Sequence, residues 1–488
     1  MKKTSLISIL LVLFCLVGNA QKLQVTNNKT LMLEKSGKLI NTKVKQNDYV
    51  GSIGDSHYFI INNNILLKTD KALKKNTAFE LNKAFEDIML INFSSENATG
   101  FISIANDTKG RNFILKKVFV KGDGLSEKNL QTLDCEKGDY YQSNVATSID
   151  KTKKMVAISV ISSKDVYKFT TIFVINTEGE IVWSKVISPT FKNDNFAFND
   201  MTVSNDGFVY ILAKSYKVKV KNCNLHLLKV GESGVDENFT DAFPHNTIGN
   251  ANIIELSNGN FFVGGYYTTA GTFSYANDID ELGTFSYVFD NTLGKLNFKS
   301  QPMKEVKGAV SLDNSKSFKT LMGIYETTDG KVTMLAEEQI VYYSTQAPTG
   351  YFHYNVLINS FDLNGNYGNS SILFKNQVSH TIHIMTSFYV LKNNDELILI
   401  YNDNVKNDIT QNLPKPKAFV AYKYKKIGQT VACTIKDGKV GKKQVLINAK
   451  ENEEILYNLV EQFGNEAIIR VQTGMAGTGP IMLEKITW

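Results

Sequence analysis

The sequence predicts an all-β fold in which one four-stranded antiparallel unit is repeated along the chain. Three observations predict it. Short segments rich in Val, Ile, Phe and Tyr recur throughout the 488 residues, turn-forming residues precede each segment, and a second turn containing glycine follows. Only 7 prolines are present, and apolar residues at helical spacing are scarce.

The apolar segments have the composition of strands, because β-branched and aromatic residues pack well on a pleated sheet. In chain order they are "HYFIINNNILL", "KMVAISVI", "GFVYILAKSY", "NFFVGGYY", "KVTMLAEE", "ELILIYND" and "AIIRVQT". Each follows a predicted tight turn, where Asn-Gly and Asp-Gly supply the positive φ that hairpins need. With a weaker one at Ser95-Glu96-Asn97, eight such turns are predicted, the others at Gly54-Asp55, Asp150-Lys151, Asn205-Asp206-Gly207, Asn258-Gly259, Asp329-Gly330, Asn393-Asn394-Asp395 and Gly464-Asn465.

A second turn closes each unit. Its pattern is an apolar run, then glycine with a small or acidic residue, then another apolar run. The segments with this form are "LMLEKSGKLINTK", "FVINTEGEIVWSKVI", "LLKVGESGVDENF", "YVFDNTLGKLNF", "INSFDLNGNYG" and "ACTIKDGKVGKK". The unit is therefore strand, turn, strand, loop, strand, turn, strand, and it recurs at intervals of about 50 to 70 residues.

Units of this kind are typical of a β-propeller, in which four-stranded blades stand side by side around a central axis. An isolated unit could not bury both of its faces, whereas a ring of units shares one core and leaves only short edges. The turns predict eight blades, with seven as the alternative.

The two ends of the chain are predicted to meet in one blade and close the ring. The C-terminal strands around Ala467 to Val471 and Ile481 to Lys485 would be completed by an N-terminal strand from Lys38 to Lys43. Both "LMLEK" and "IMLEK" fit the third strand of that blade, and the sequence alone leaves this choice open.

Three segments resemble the blade hairpins of secreted bacterial β-propeller repeat proteins. "VINTEGEIVWSKV" resembles the closing hairpin of quinoprotein-type blades, "LLKVGESGVDENF" resembles a repeat of secreted bacterial propellers, and "IIELSNGNFFVGGYYTT" resembles the opening hairpin of the same class. Each match covers a single blade, so the resemblance implies the fold and no specific family. No quinone-binding residue carries over, and we expect no cofactor.

The first 20 residues have the layout of a secretory signal peptide. Lys2 and Lys3 precede an apolar run at 6–17, and Gly18 and Ala20 place small residues before the expected cleavage site. The run is shorter than the roughly 20 apolar residues of a spanning helix, so we expect no transmembrane segment. The protein is therefore expected in the periplasm, on the outer surface or in the medium.

Residues 21–488 are expected to form a single propeller domain, and their composition argues against several classes. The net charge of +6 is modest, and the lysines at 214–221 alternate along a predicted strand, as on a solvated edge, so no nucleic-acid partner is expected. Cys135, Cys223 and Cys433 are far apart, which excludes a disulfide framework and a CxxC metal motif.

The connections between the second and third strands are expected to carry the function. In an antiparallel blade the 1–2 and 3–4 turns lie at one end, and the 2–3 and 4–1 connections lie at the other. Three 2–3 connections are long, at 268–284, 338–354 and 402–417. Function concentrates on loops that a rigid scaffold holds, so this face of the ring is the predicted site.

Aromatic residues of two of these loops are the candidate ligand contacts, because rigid rings suit sugars and peptide side chains. The candidates are Tyr267, Phe273, Tyr275, Tyr343, Tyr351 and His353. If they form a binding surface, they lie on one side of the ring and are partly exposed. The alternative is that the rings pack the loops onto the scaffold.

Other motifs indicate no metal or phosphate site. His380 and His383 in "SHTIHIM" would point to opposite faces of a strand, so they are predicted to line the central channel and not to bind a metal. "NDIDE" lacks the central Gly and distal Glu of a calcium loop, and "GMAGTGP" lacks the Lys of a phosphate loop.

These observations predict an exported binding or scaffold protein whose partner is a glycan, a peptide or another protein. The alternative is a hydrolase or lyase that cleaves polysaccharide or peptide on the same face. No Gly-x-Ser-x-Gly elbow occurs, and we identify no catalytic residue.

Overall fold

In the computed structural model the chain forms a ring of eight four-stranded antiparallel blades, which confirms the predicted fold and blade number. The structure describes residues 24–26, 33–35, 38–40 and 47–488, without 74, 82–83, 96–97, 107–111, 135–144, 151–153, 162–169, 188–194, 217–222, 246, 269–281, 303–317, 344–347, 380–384, 450–453 and 474–480.

The strands of the first half follow one another from the inside of each blade to its outside. Three short strands come first: β1 (Gln24–Thr26), β2 (Leu33–Lys35) and β3 (Lys38–Ile40). Blade 1 contains β4 (Asn47–Ile53), β5 (Ser56–Ile61), β6 (Ile65–Asp70) and β7 (Asn76–Glu80). Blade 2 contains β8 (Ile88–Ser94), β9 (Thr99–Asn106), β10 (Asn112–Lys121) and β11 (Gly124–Asp134). Blade 3 contains β12 (Val145–Ile149), β13 (Met155–Ile161), β14 (Thr170–Asn176) and β15 (Ile181–Ile187). Blade 4 contains β16 (Asn195–Val203), β17 (Val209–Tyr216), β18 (Cys223–Gly231) and β19 (Gly234–Ala242).

The second half repeats this order and adds short elements around blades 6 and 7. Blade 5 contains β20 (Thr247–Glu255), β21 (Phe261–Thr268), β22 (Leu282–Phe289) and β23 (Lys295–Pro302). Blade 6 contains β24 (Phe318–Glu326), β25 (Lys331–Tyr343), β26 (Pro348–Asp362) and β27 (Tyr367–Leu373), and β28 (Gln377–Ser379) follows it. Blade 7 contains β29 (Phe388–Asn393), β30 (Glu396–Asn404), the inserted β31 (Phe419–Val420) and α1 (Tyr424–Ile427), then β32 (Gly428–Lys436) and β33 (Lys439–Asn448). Blade 8 contains β34 (Glu454–Phe463), β35 (Glu466–Thr473) and β36 (Ile481–Thr487), with β1 as its fourth strand.

The eight predicted first turns each join the first two strands of a blade. Gly54, Gly207, Gly259, Gly330 and Gly464 have positive φ in these turns, as the turn chemistry requires. The three segments that resemble propeller hairpins are blade hairpins as well, since two of them are β14–β15 and β18–β19 and the third is β20–β21.

The prediction that an N-terminal strand closes the ring was made for the wrong residues. The N-terminal strand that completes blade 8 is β1, which pairs with β36, and not a strand from Lys38 to Lys43. Residues Lys38–Ile40 instead pair with Leu33–Lys35 in a separate two-stranded sheet, so "LMLEK" is part of a local hairpin. "IMLEK" is the third strand of blade 8.

The segment "HYFIINNNILL" is two strands and not one. It contains the end of β5 and the start of β6, which pair with each other across a turn at 62–64. Asn62 and Asn63 adopt φ of 49° and 63°, a conformation that asparagine tolerates better than most residues. This is the short 2–3 connection of blade 1.

Among the described residues, eight hydrophobic clusters form the core of the ring, one between each pair of neighbouring blades. The cluster between blades 8 and 1 closes the ring, since Tyr49 and Phe59 of blade 1 pack with Ile468 and Leu483 of blade 8. Burial of apolar surface between all neighbours makes each blade depend on the two beside it.

A glycine in blade 2 tests how tightly the strands pack. A Cβ on Gly100 would lie 2.1 Å from the carbonyl oxygen of Val118, whereas a Cβ on Gly124 would meet nothing within 4 Å. We expect Gly100→Ala to lower the free energy of unfolding by about 1–3 kcal/mol, because backbone atoms would have to move. Gly124→Ala in the same blade is the control, and equal denaturant midpoints for both variants would contradict this packing.

No helix among the described residues is long and apolar enough to cross a membrane.

Candidate functional site

The 2–3 connection of blade 6 is a projecting hairpin and not a loop, which corrects the prediction for residues 338–354. β25 and β26 stay paired from Lys331↔Asp362 out to Tyr343↔Pro348. Their register shifts between Glu337 and Gln339, and a bulge of this kind bends a strand pair. We call residues 338–355 the blade-6 hairpin. Its β-branched and aromatic residues favour a strand, and strand pairing satisfies the backbone there.

Two short strands widen the sheet at the base of the blade-6 hairpin. β27 pairs with β26 only at 356–361. At Tyr351–His353, the same edge of β26 pairs with β28. β31 then pairs in parallel with β28. The predicted long connection at 402–417 begins slightly later, since β30 continues to Asn404. Residues 405–418 have no regular strand or helix, and β31 and α1 follow them before β32.

A separate apolar cluster attaches the short strand β31 and the helix α1 to the ring. Phe419 of β31 and Tyr424 of α1 pack with Met385, which precedes blade 7, and with Ile455 of blade 8. All four side chains are at most 2% exposed. The elements above blades 6 and 7 are therefore packed onto the ring.

A buried carboxylate lies where the blade-6 hairpin leaves the ring. Glu337 Oε1 is 2.5 Å from Nζ of Lys375, and both side chains are fully buried. Oε2 accepts hydrogen bonds from Gln339 Nε2 and Ser387 Oγ at 2.8 Å each, and it lies 2.8 Å from Nδ1 of His353. The carboxylate thus joins β25, β26, the segment after β27 and the entrance to blade 7.

Electrostatics keep this carboxylate ionised. Burial by itself would raise the pKa of Glu337, but the charge of Lys375 and the hydrogen bond from His353 outweigh it and hold the pKa at about 2. Burial lowers the pKa of Lys375, and the Glu337 carboxylate opposes that shift. An ionised group at 0% exposure with this many partners has no access to a substrate, so Glu337 is an anchor and not an acid or base for catalysis.

Further hydrogen bonds extend the network to blade 8. Lys375 Nζ donates to Gln377 Oε1 at 2.7 Å, and Gln377 Nε2 donates to the carbonyl oxygen of Asn402 at 2.8 Å. Asn402 Nδ2 donates to the carbonyl oxygen of Leu456 at 2.8 Å. Ser387, which adopts a φ of +73°, donates its backbone N–H to Gln377 Oε1 at 2.7 Å. Blades 6, 7 and 8 are therefore linked on this face by buried polar groups.

The expected exposure of Tyr267 is wrong. Its side chain is 1% exposed and belongs to the core cluster between blades 4 and 5. Its ring stacks on His245 with 3.7 Å between ring centroids, and a Cβ on Gly283 would overlap it at 2.0 Å. Alternation along β21 turns this residue into the blade interface, so it contributes packing and not a contact surface.

His353 is also buried, at 2% exposure, and its partner is Glu337, so the expectation of a ligand contact at His353 does not fit its position. Tyr351 is half-buried in β26, opposite Val341, on the side of the strand that carries His353. Phe273, Tyr275, His380 and His383 lie outside the described residues, as does the side chain of Tyr343.

Phe352 and Tyr354 belong to the same strand but were not among the candidates. Both are half-buried, and their rings are 6.1 Å apart at an interplanar angle of 23°. Their position in "YFHYN" is the only sequence signal that marks them. The hairpin therefore carries half-buried aromatic residues on both of its faces.

Both cysteines of the described residues lie inside the blades. Cys223 and Cys433 are free and buried, and burial raises the pKa of Cys433 to about 12. The described residues contain no group of three or more His, Cys, Asp or Glu side chains placed to hold a metal ion.

Comparisons with known proteins assign the chain to no family. No protein-family model matches the chain, and no curated protein matches it. Among solved structures, the β-propeller domain of the Trilobed protease from Pyrococcus furiosus is 7% identical, with 82% of this chain and 93% of that chain covered and a TM-score of 0.35. Prolyl oligopeptidase B from Galerina marginata is 9% identical, with 88% and 55% covered and a TM-score of 0.39. The polysaccharide lyase Uly1 is 10% identical, with 84% and 92% covered and a TM-score of 0.37. Similarity at this level carries no argument about function.

Tyr267 and Tyr351 provide a test of packing against exposure. Tyr267→Ala is expected to lower the free energy of unfolding by about 3–5 kcal/mol, because it removes a buried ring and leaves a cavity. Tyr351→Ala is expected to cost far less, about 1 kcal/mol or below, because its ring is only half-buried. Denaturant unfolding of the two variants measures both values, and equal losses would show that Tyr351 is core.

Proposed function

We propose that the protein is an exported binding protein that holds a glycan, peptide or protein partner on the blade-6 hairpin. The observation that carries the proposal is the hairpin itself, which extends past the ring and is anchored by the fully buried Glu337–Lys375 pair. Burying two charged side chains has a high desolvation cost. Replacing a buried ion pair with apolar residues therefore often stabilises a protein. The position of this pair at the base of a projecting element supports a role in holding that element in one position.

The chemistry of the hairpin supports binding over cleavage. Tyr351, Phe352 and Tyr354 present partly exposed rings on a paired, anchored strand. Rigid aromatic side chains lose little entropy when they contact a ligand, and they are enriched in binding sites. The carboxylate of Glu337 below them is buried and inaccessible, so it cannot serve as the catalytic acid of a hydrolase or lyase.

The test is a glycan and peptide array with the full chain, followed by titration of the best ligand against variants. Tyr351→Ala and Phe352→Ala lie on opposite faces of the hairpin, and at least one is expected to weaken binding by about tenfold or more. Phe208→Ala, a half-buried ring beside the 1–2 turn of blade 4, is the control. Loss of binding in the control alone, or unchanged binding in both hairpin variants, would reject this surface.

A further inference from the structure

A cavity of about 170 Å³ opens on the opposite face of the ring, where the 1–2 and 3–4 turns lie. Parts of four blades line it: Phe463 ends β34, Ser52 lies near the end of β4, Ser94 ends β8 and Ile149 ends β12. β12 has only 5 residues, the fewest of the innermost strands, and the 3–4 turn of blade 3 also reaches the cavity through Thr177.

The floor of the cavity is aromatic and apolar. Phe463 is half-buried, and its ring lies edge-on to Tyr49 at 6.0 Å and 5.0 Å from the ring of His57. Ile149, which is 46% exposed, is one of the few large apolar side chains of the described chain that face solvent. A ring that neighbours hold in place, beside an exposed apolar side chain, is a surface on which a ligand can stack.

The rim of the cavity is polar and contains both donors and acceptors. Ser52, Ser94 and Thr177 contribute hydroxyl groups. Ser94 Oγ is hydrogen-bonded to Thr99 Oγ1 at 2.8 Å, and Thr177 Oγ1 donates to Glu178 Oε2 at 3.1 Å, so the Thr177 hydroxyl offers an acceptor to a ligand. Asn92 donates its Nδ2 to the carbonyl oxygen of Tyr49 at 3.0 Å, which leaves its Oδ1 as an acceptor. Two charged side chains, Lys154 and Glu461, complete the rim.

Lys154 contributes a cation to the rim. Its side chain is exposed, and among the described residues no carboxylate lies within ion-pair distance of it. Glu461, at the same cavity, supplies an acceptor of opposite charge. An anionic ligand would be repelled by Glu461, and a purely apolar one would leave the polar rim without partners.

We infer that this cavity binds a single pyranose ring, either a free monosaccharide or the terminal residue of a glycan. A pyranose has an apolar face of C–H groups that stacks on an aromatic ring, and a rim of hydroxyl groups that donate and accept. The cavity is smaller than the about 300–1,000 Å³ of sites for drug-sized ligands, which limits it to one ring. It lies on the face opposite the blade-6 hairpin and is independent of that site.

The experiment is a saturation-transfer NMR screen of the full chain with monosaccharides, with oligosaccharides that end in the same residues, and with free amino acids. Thr177→Trp is expected to fill the cavity and to weaken binding of the best sugar by at least about tenfold. Thr292→Trp, in the exposed 3–4 turn of blade 5, is the matched control and is expected to bind within about twofold of the wild type.

A second variant covers the case in which Thr177→Trp does not fold. Lys154→Ala changes an exposed side chain and is expected to weaken sugar binding by about threefold or more, the effect of one lost hydrogen bond. Binding of the oligosaccharides alone would identify a glycan end, and binding of the free sugar would identify a monosaccharide. Amino acids binding in place of sugars, no sugar binding, or unchanged binding in the variants would overturn the inference.

Discussion

Lys375→Met is expected to lower the free energy of unfolding by about 3–5 kcal/mol, because it leaves the carboxylate of Glu337 buried without its cation. Lys375 and Glu337 are both fully buried, and their charged atoms are 2.5 Å apart. Water cannot replace the ammonium at this position without opening the base of the blade-6 hairpin. Denaturant unfolding at neutral pH measures the loss.

Two further variants isolate the cause. The double variant Glu337→Gln with Lys375→Met is expected to regain much of the lost stability, because it removes the uncompensated charge. Lys71→Met is the control, since Lys71 pairs with Asp55 in an exposed ion pair whose side chains are 59% and 91% accessible. That control is expected to leave the denaturant midpoint nearly unchanged, because an exposed ion pair contributes little to stability. A double variant that is as unstable as Lys375→Met would contradict the electrostatic explanation.

The same carboxylate predicts a pH dependence. The pKa of Glu337 is lowered from 4.5 to about 2 in the folded protein, so the folded state binds fewer protons than the unfolded state between these values. Its contribution is present above about pH 4.5 and is lost as the pH falls from about 4.5 to 2. Glu337→Gln is expected to flatten the stability curve in this window, and a variant curve parallel to that of the wild type would contradict the shifted pKa.

Deleting residues 481–488 is expected to abolish cooperative folding. The deletion removes β36, the third strand of blade 8, and leaves β1 without its partner. It also removes Leu483, Ile486 and Trp488, which are buried in the clusters on both sides of blade 8. Each buried apolar side chain contributes about 1.5–3 kcal/mol, so the loss approaches the total stability of a typical domain.

Proline substitutions show which N-terminal strand closes the ring. Val25→Pro with Thr26→Pro interrupts β1, since N–H groups of adjacent strand residues alternate in direction and one of the two must face β36. Leu39→Pro with Ile40→Pro interrupts only the separate β2–β3 sheet. We expect a lower melting temperature for the first pair and little change for the second.

The chain that lacks residues 481–488 tests the same closure. If it melts at the wild-type temperature, that result would contradict closure through blade 8.

The repeat could be predicted from the sequence because its signals are local. Asn-Gly and Asp-Gly turns require particular φ values and mark hairpins between strands of a blade, as at Asn258-Gly259 before a second strand and Asp437-Gly438 before a fourth. The choice among closing strands could not be predicted, because "LMLEK" and "IMLEK" have the same local pattern. Only their partners distinguish them. "LMLEK" pairs with the segment just after it, whereas "IMLEK" belongs to a strand that pairs with the preceding β35 and with β1 at the opposite end of the chain.

The anchor of the blade-6 hairpin had no sequence signal. Glu337 and Lys375 are 38 positions apart, and in the sequence Glu337 is simply a polar residue within the predicted strand "KVTMLAEE". Their meeting depends on β28 turning back beside β26, which follows from no local pattern. Tyr267 had a sequence signal, but that signal was ambiguous, because aromatic residues next to a long connection fit a binding loop and a blade interface equally well. Its side chain is 1% exposed, which places it in the interface.

Hydrogen–deuterium exchange with and without the ligand that the array identifies tests the central claim most directly, because it reports where the ligand protects the backbone. We expect slower exchange at 338–355 in β25 and β26, with the outer strands of blades 3 and 4 unchanged. Protection confined to other blades, with exchange at 338–355 the same in both states, would contradict the blade-6 hairpin as the binding surface.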